Sequence, residues 1–193
     1  MRLIAPLAGI ALIATPAIAA DPAHPAVVEL YQSQGCSSCP PADLVVNALA
    51  DRPDVLALSF AVTYWDQLGW KDTFASPAFT QRQWDYAHAA GRGNVGTPQV
   101  VINGRAAVVG SNRAEVDSAI ARYDRGAGGP YIASNGRAAV VAAGRGHGTV
   151  WLVRYDPRTI SVPIRAGENG GRTIPHRNIV RQLVALGRWS GAQ

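Results

Sequence analysis

The chain has 193 residues and a formal net charge of +5, enough length for one domain of good size with its own core, or for one domain and a small appendage. Lys71 is the only lysine and the arginines are scattered without a basic run, so the positive charge carries no nucleic-acid footprint.

Met1-Arg2 opens an otherwise uncharged stretch that runs to Ala20 and ends in small residues, with an A-x-A pattern at Ala17 and Ala19. This reads as a secretory signal peptide over residues 1–20, cut after Ala19 or Ala20. Pro6, Gly9 and Pro16 disfavour a retained spanning helix, and no later stretch is long and apolar enough to cross a bilayer. The expected mature protein is periplasmic or secreted, lies in an oxidising space, and has no membrane association after cleavage.

Residues 27–31, VVELY, read as a short buried strand, and the stretch GCSSCPP, 35–41, follows at once. From Pro40 the pattern turns helical, and ADLVVNALA puts Leu44, Val45, Ala48 and Leu49 on one face. DVLALSFAV, 54–62, is a second apolar strand, and the aromatic loop YWDQLGWKD, 64–72, follows it. Ser76 caps a helix with Pro77 in its first turn, and Phe79, Arg82, Gln83, Tyr86 and Ala90 continue at helical spacing. Thr97-Pro98 leads into QVVI, Asn103-Gly104 gives a tight hairpin to AAVV, and Ser111 or Asn112 caps a last helix, RAEVDSAIARY. In order this is an α/β arrangement, β-α-β-α-β-β-α, over residues 24–126.

From Gly126 the texture changes. RAAVVAAG, TVWLVRYD and ISVPIRA read as short strands between turns, and HRNIVRQLVALGRW fits strand or helix equally. Residues 130–193 are expected to form a small β-rich C-terminal module packed on the first domain.

Cys36 and Cys39 are the only cysteines. As a structural staple they would be weak, because closing a four-residue loop stabilises by about 2 kcal/mol against about 3 for fifteen residues. A zinc site would need two further ligands, and His24, His88, His147 and His176 lie far apart with no paired spacing. Two soft thiolates can hold Cu(I), although Met1 is the sole methionine and no histidine lies beside the pair. The remaining reading is a dithiol that opens and closes across one helical turn, with no cofactor. Cys36 attacks a disulfide and Cys39 resolves the mixed disulfide. Thr97-Pro98, just before a strand, can hold a cis peptide bond that brings Thr97 backbone groups beside the cysteines for an incoming peptide.

VELYQSQGCSSCPPAD, YWDQLGWKD and VGTPQVVINGR together resemble the thioredoxin superfamily, and more closely the exported bacterial thioredoxin-like family called domain of unknown function 1223. RAGENGGRTIPHRNIVRQL resembles the same family. The resemblance implies a thioredoxin-like fold, the cysteine pair and the cis-proline loop, and it carries no settled activity. Family members extend past a Trp-x-Gly like Trp189-Ser190-Gly191, so it also implies a C-terminal module shorter by a strand or two. Pro40 lacks an N–H, and a helix starting after it would aim less of its dipole at Cys36.

Glu29 lies close to where thioredoxin carries a buried carboxylate and is a candidate proton relay, unless the one-residue offset turns it to solvent. Trp65 and Asp66, with Trp70, Lys71 and Asp72, either wall a substrate groove or pack as core and rim. Gly91 to Gly96 fits G-x-G-x-x-G by letter but precedes a strand, which is the wrong context for a dinucleotide. The expected function is a thiol-disulfide oxidoreductase acting on protein or small-molecule disulfides. The rival is a redox-inert or Cu(I)-binding scaffold.

Overall fold

The apolar strand over residues 26–32 sits in the middle of the central sheet. A computed structural model describes residues 20–22, 24–124, 126 and 129–191. Apart from Ala20, the expected signal peptide lies outside the described residues. Among those residues no helix is long and apolar enough to cross a membrane.

Strand β1 (Ala26–Gln32) is followed by α1 (Pro40–Leu49), β2 (Val55–Ala61), a short 3-10 turn at Asp66–Leu68, α2 (Pro77–Ala89), the hairpin β3 (Gln99–Ile102) and β4 (Ala106–Val108), and α3 (Arg113–Arg122). The C-terminal part adds β5 (Ile132–Ser134), β6 (Ala139–Val141), β7 (Gly148–Asp156), β8 (Ile160–Pro163), β9 (Thr173–His176) and β10 (Ile179–Trp189). One six-stranded sheet runs in the order β4-β3-β1-β2-β10-β7. Within it β1 and β2 are parallel, and β3 is antiparallel to β1.

Alternation along β1 sorts its side chains between two layers. Val28 and Leu30 pack with Ala42, Val46 and Leu49 of α1 and with Val116 and Ile120 of α3. Tyr31 joins Phe60, Val101 and Phe79 of α2 on the other face. Each fully buried aliphatic or aromatic side chain here contributes about 1.5–3 kcal/mol. The result is an α/β fold with a central mixed sheet and few helices, compatible with a thioredoxin-like layout carrying an extra β module. Its hairpin turns through Asn103 and Gly104, both at positive φ, as the Asn-Gly pair requires.

Two expectations change. Helix α1 buries Ala42, Asp43, Val46 and Leu49, while Leu44 is 60% exposed. The apolar residues at 42, 46 and 49 set its phase, and this turns a carboxylate inward. Helix α1 begins at Pro40, where the sequence pattern turns helical, with Cys39 already in the helical region as its N-cap, because proline at the first helical position gives up only an N–H that has no partner there. Finally, residues 130–193 do not merely pack on the first domain. Strand β10 pairs in parallel with the edge of β2, and β7 pairs with β10. Asn178 starts that junction, accepting from the Ser59 N–H at 3.0 Å and donating to the Ala57 carbonyl at 2.8 Å. Only Ile179 and Val180 of β10 are buried, and its register shifts twice, which is why its periodicity is unreadable in the sequence.

Candidate functional site

The site begins where β1 ends. The chain turns through Ser33 and Gln34, with the Cys36 N–H bonded to the Ser33 carbonyl at 3.0 Å, and enters α1 with the Cys39 N–H on the Cys36 carbonyl at 3.1 Å. Cys36 and Cys39 form a disulfide across this first turn. The Ser38 hydroxyl donates to Cys36 Sγ at 3.4 Å, since a disulfide sulfur has no proton to give.

Thr97-Pro98 is a cis peptide bond. Ser38 and Pro41 line one side of an open groove of about 720 Å³, and Thr97, Pro98 and Gln99 line another side. Trp65 connects the two: its indole N–H donates to Thr97 Oγ1 at 2.8 Å, and a Cβ at Gly35 would stand 3.4 Å from its own Cβ. Ser38, in contact with Cys36 Sγ, thus lines the same groove as Thr97 and Pro98, and Trp65 is joined to Thr97. Asp66 serves the loop instead, accepting from the Asp72 N–H at 3.1 Å.

Glu29 is turned neither to solvent nor toward the cysteines. One residue out of phase with Val28 and Leu30, it faces α2. There Arg82 grips it through Nε and Nη2 at 2.7 and 2.8 Å, and the hydroxyls of Tyr31 and Tyr86 each donate to it at 2.8 Å. Burial pulls the Arg82 guanidinium down, but the hydrogen bond and charge of Glu29 outweigh it and hold the group firmly protonated. Burial, and then the Glu29 charge, push both tyrosines above their ordinary range.

Both cysteines are wholly buried, at 0% exposure, whereas attack by Cys36 on a disulfide needs its sulfur open. The cover comes from the connection between β8 and β9. Asn169, itself buried, donates to the Gln34 and Cys36 carbonyls at 2.9 and 2.8 Å. Glu168 accepts the Ser37 N–H at 3.0 Å, and that bond lowers its carboxyl below the ordinary range. Gly167, at φ +72, lies so close to Trp70 that a Cβ there would meet the tryptophan Cβ at 3.2 Å. Gln34 ties these parts together. Its N–H donates to Asp72 at 2.7 Å, and its side chain accepts from Trp70 and donates to Thr73.

A second polar group begins one helical turn beyond Cys39, where the Asp43 N–H bonds the Cys39 carbonyl at 3.1 Å. Asp43 is 2% exposed and His176 is 0% exposed, and they face each other at 3.4 Å, within ion-pair reach but short of a formed hydrogen bond. Burial raises the Asp43 carboxyl, and His176 opposes that rise. Burial likewise raises Asp72, which the Gln34 and Phe74 amides partly offset. The reading of the sequence passed over Asp43 and Asn169, took Asp72 only as a groove-wall or rim residue, and considered His176 only as a zinc ligand. Asp43 was findable as the residue one helical turn beyond Cys39, whereas no local signal marks the others.

A family model described as "Protein of unknown function (DUF1223)" matches residues 27–193. The chain belongs to that family. The match continues from the cysteine loop through the covering connection, so the DUF1223 region includes both halves of the site. A crystal structure of a protein from Agrobacterium tumefaciens, solved by a structural genomics consortium, is similar at 34% identity with a TM-score of 0.73. The similarity covers 86% of this chain and 74% of that one. No curated protein matches the sequence.

Proposed function

We propose that this DUF1223 protein is a thiol-disulfide redox protein of the periplasm or the secreted space. In this reading Cys36 exchanges with protein or small-molecule disulfides and Cys39 closes on it. The observation that carries the reading is Ser38, whose hydroxyl touches Cys36 Sγ while the residue lines the groove that Thr97 and Pro98 share. An extended segment lying in that groove would meet the Thr97 backbone and, once the sulfur is uncovered, Cys36. Exchange therefore requires Glu168 and Asn169 to release the cysteine loop, because a thiolate must reach the sulfur along the S–S axis.

The burial of both sulfurs favours a second reading, in which the disulfide is permanently closed and the protein is a redox-inert scaffold. Native-state reduction separates the two. Treat the folded protein with a strong dithiol, then with a thiol-alkylating reagent, and count modified cysteines by mass. The redox reading expects both cysteines to be modified without unfolding, and Cys39→Ala to trap mixed disulfides at Cys36 in cells. Modification only in denaturant would establish the inert scaffold. N-terminal sequencing of the exported chain tests the compartment, with a mature start at Ala20 or Asp21 expected.

A further inference from the structure

Six buried side-chain polar atoms have no hydrogen-bond partner among the described residues, and five of them belong to Gln32, Asp43, Ser59 and His176. Such atoms are uncommon in folded proteins and ask for a cause. Alternation puts Gln32 in phase with Val28 and Leu30, and Ser59 in phase with Ala57, so both strands present these groups to the face on which α1 packs. Asp43 projects from α1 itself. His176 arrives from β9, held there because Asn47 of α1 donates to the Pro175 carbonyl at 2.8 Å and accepts the Arg177 N–H at 3.0 Å. Gln32 and Ser59 thus share the sheet face on which α1 packs, and Asp43 and His176 meet at 3.4 Å.

Cys39 has helical dihedrals, and the Asp43 N–H bonds its carbonyl at 3.1 Å. The two residues are therefore one turn apart on one face, with Cβ atoms about 5–6 Å apart. Resting on the redox reading above, we infer that Asp43 is the proton acceptor for the Cys39 thiol, and that His176, supplied by the C-terminal part of the chain, is the positioning residue that keeps Asp43 ready to accept.

The step begins with a substrate sulfur joined to Cys36 after the substrate disulfide has been attacked and its first thiolate released. The Cys39 thiol gives its proton to the Asp43 carboxylate. The sulfur's freed electron pair forms the Cys36–Cys39 bond, and the bond between Cys36 and the substrate breaks. Its electron pair leaves with the substrate sulfur, which takes a proton from water. The substrate disulfide is reduced to two thiols, and the protein dithiol is oxidised.

The groups that face Asp43 are Cys39 on its own helix and His176 on β9. Asp72, in the loop before α2, acts on His176 in turn. Phe74 packs edge-on to the His176 ring with centroids 5.8 Å apart, and Arg181 of β10 lies over the Phe74 ring at 4.4 Å. Because His176 draws the Asp43 titration downward, losing it moves that titration to higher pH.

The test uses the full reduced chain and a symmetrical nitrobenzoate disulfide, which releases one coloured thiolate on attack by Cys36 and a second when Cys39 resolves. Asp43→Asn is expected to leave the first release unchanged, slow the second about a hundredfold, and abolish its pH step. His176→Gln is expected to keep the step and shift its midpoint to higher pH. If both variants resolve at the wild-type rate with the wild-type midpoint, the relay is overturned and the redox reading stands. If the wild-type chain cannot be reduced while folded, the redox reading falls and the relay falls with it.

Discussion

The two faces of the central sheet each bury a carboxylate, and they treat it in opposite ways. On the α2 face Glu29 has Arg82, Tyr31 and Tyr86 around it, and Arg82 in turn lies over the Trp151 ring at 5.4 Å. On the α1 face Asp43 has one facing histidine and an oxygen without a hydrogen bond. A saturated cluster is a fixed part of the architecture. An unsaturated one can change its protonation without breaking hydrogen bonds, and it lies one turn from the disulfide. Burial alone does not mark a working acid, because the number of committed partners separates these two.

The comparison breaks most visibly at Arg82. Arg82→Met leaves Glu29 buried with only the two tyrosine hydroxyls, and should destabilise the fold by about 3–5 kcal/mol in denaturant titrations. A loss below about 1 kcal/mol would mean that the saturated cluster holds little together. Next is the cover. Asn169→Ala strips two buried carbonyls of their donor and should cost about 1–3 kcal/mol, while native-state reduction of the disulfide becomes faster. If reduction keeps its rate despite the lost stability, exposure of the sulfurs does not depend on this connection.

The smallest effect, and the one that sharpens the contrast, is Asp43→Asn. Because the folded state raises the Asp43 titration, its ionisation opposes folding. Wild type and variant should match below the unfolded value of about 3.9, and the variant should gain relative stability as pH rises through the folded value. Unfolding curves at a series of pH values read this directly, and a flat difference would mean that Asp43 sits in no special environment. Asp156, which Arg158 holds down to about 2, works in the other sense and supports folding above its unfolded value, losing that support as acid is added. Its contribution is common to both chains and cancels in the difference.

The core of this picture was legible because its signals are local. The apolar run VVELY, C-x-x-C at its end, Thr-Pro before QVVI and Asn-Gly in the hairpin each state their geometry within a few residues. The side of the sheet that Glu29 faces was not, since a single step along a strand exchanges the faces and no nearby residue marks the choice. The phase of α1 was missed for a related reason. Leu44 and Val45 look like core, yet the small residue Ala42 and the charged Asp43 are the ones turned inward, against partners far along the chain. Asn169 and His176 reach the site from a segment whose strands carry weak alternation, and their part in it comes from tertiary contact alone.

The β8–β9 connection that roofs the cysteine loop also sets an order of events. It reaches its place only where Asn47 clasps residues 175–177 and Asn178 opens the ladder between β2 and β10, near the end of the chain. A polypeptide emerging amino end first would present both thiols, unroofed, before β10 is available. A truncation that removes β10 should therefore leave a chain whose cysteines stay within reach of the thiols around it, as alkylation of the folded chain would show.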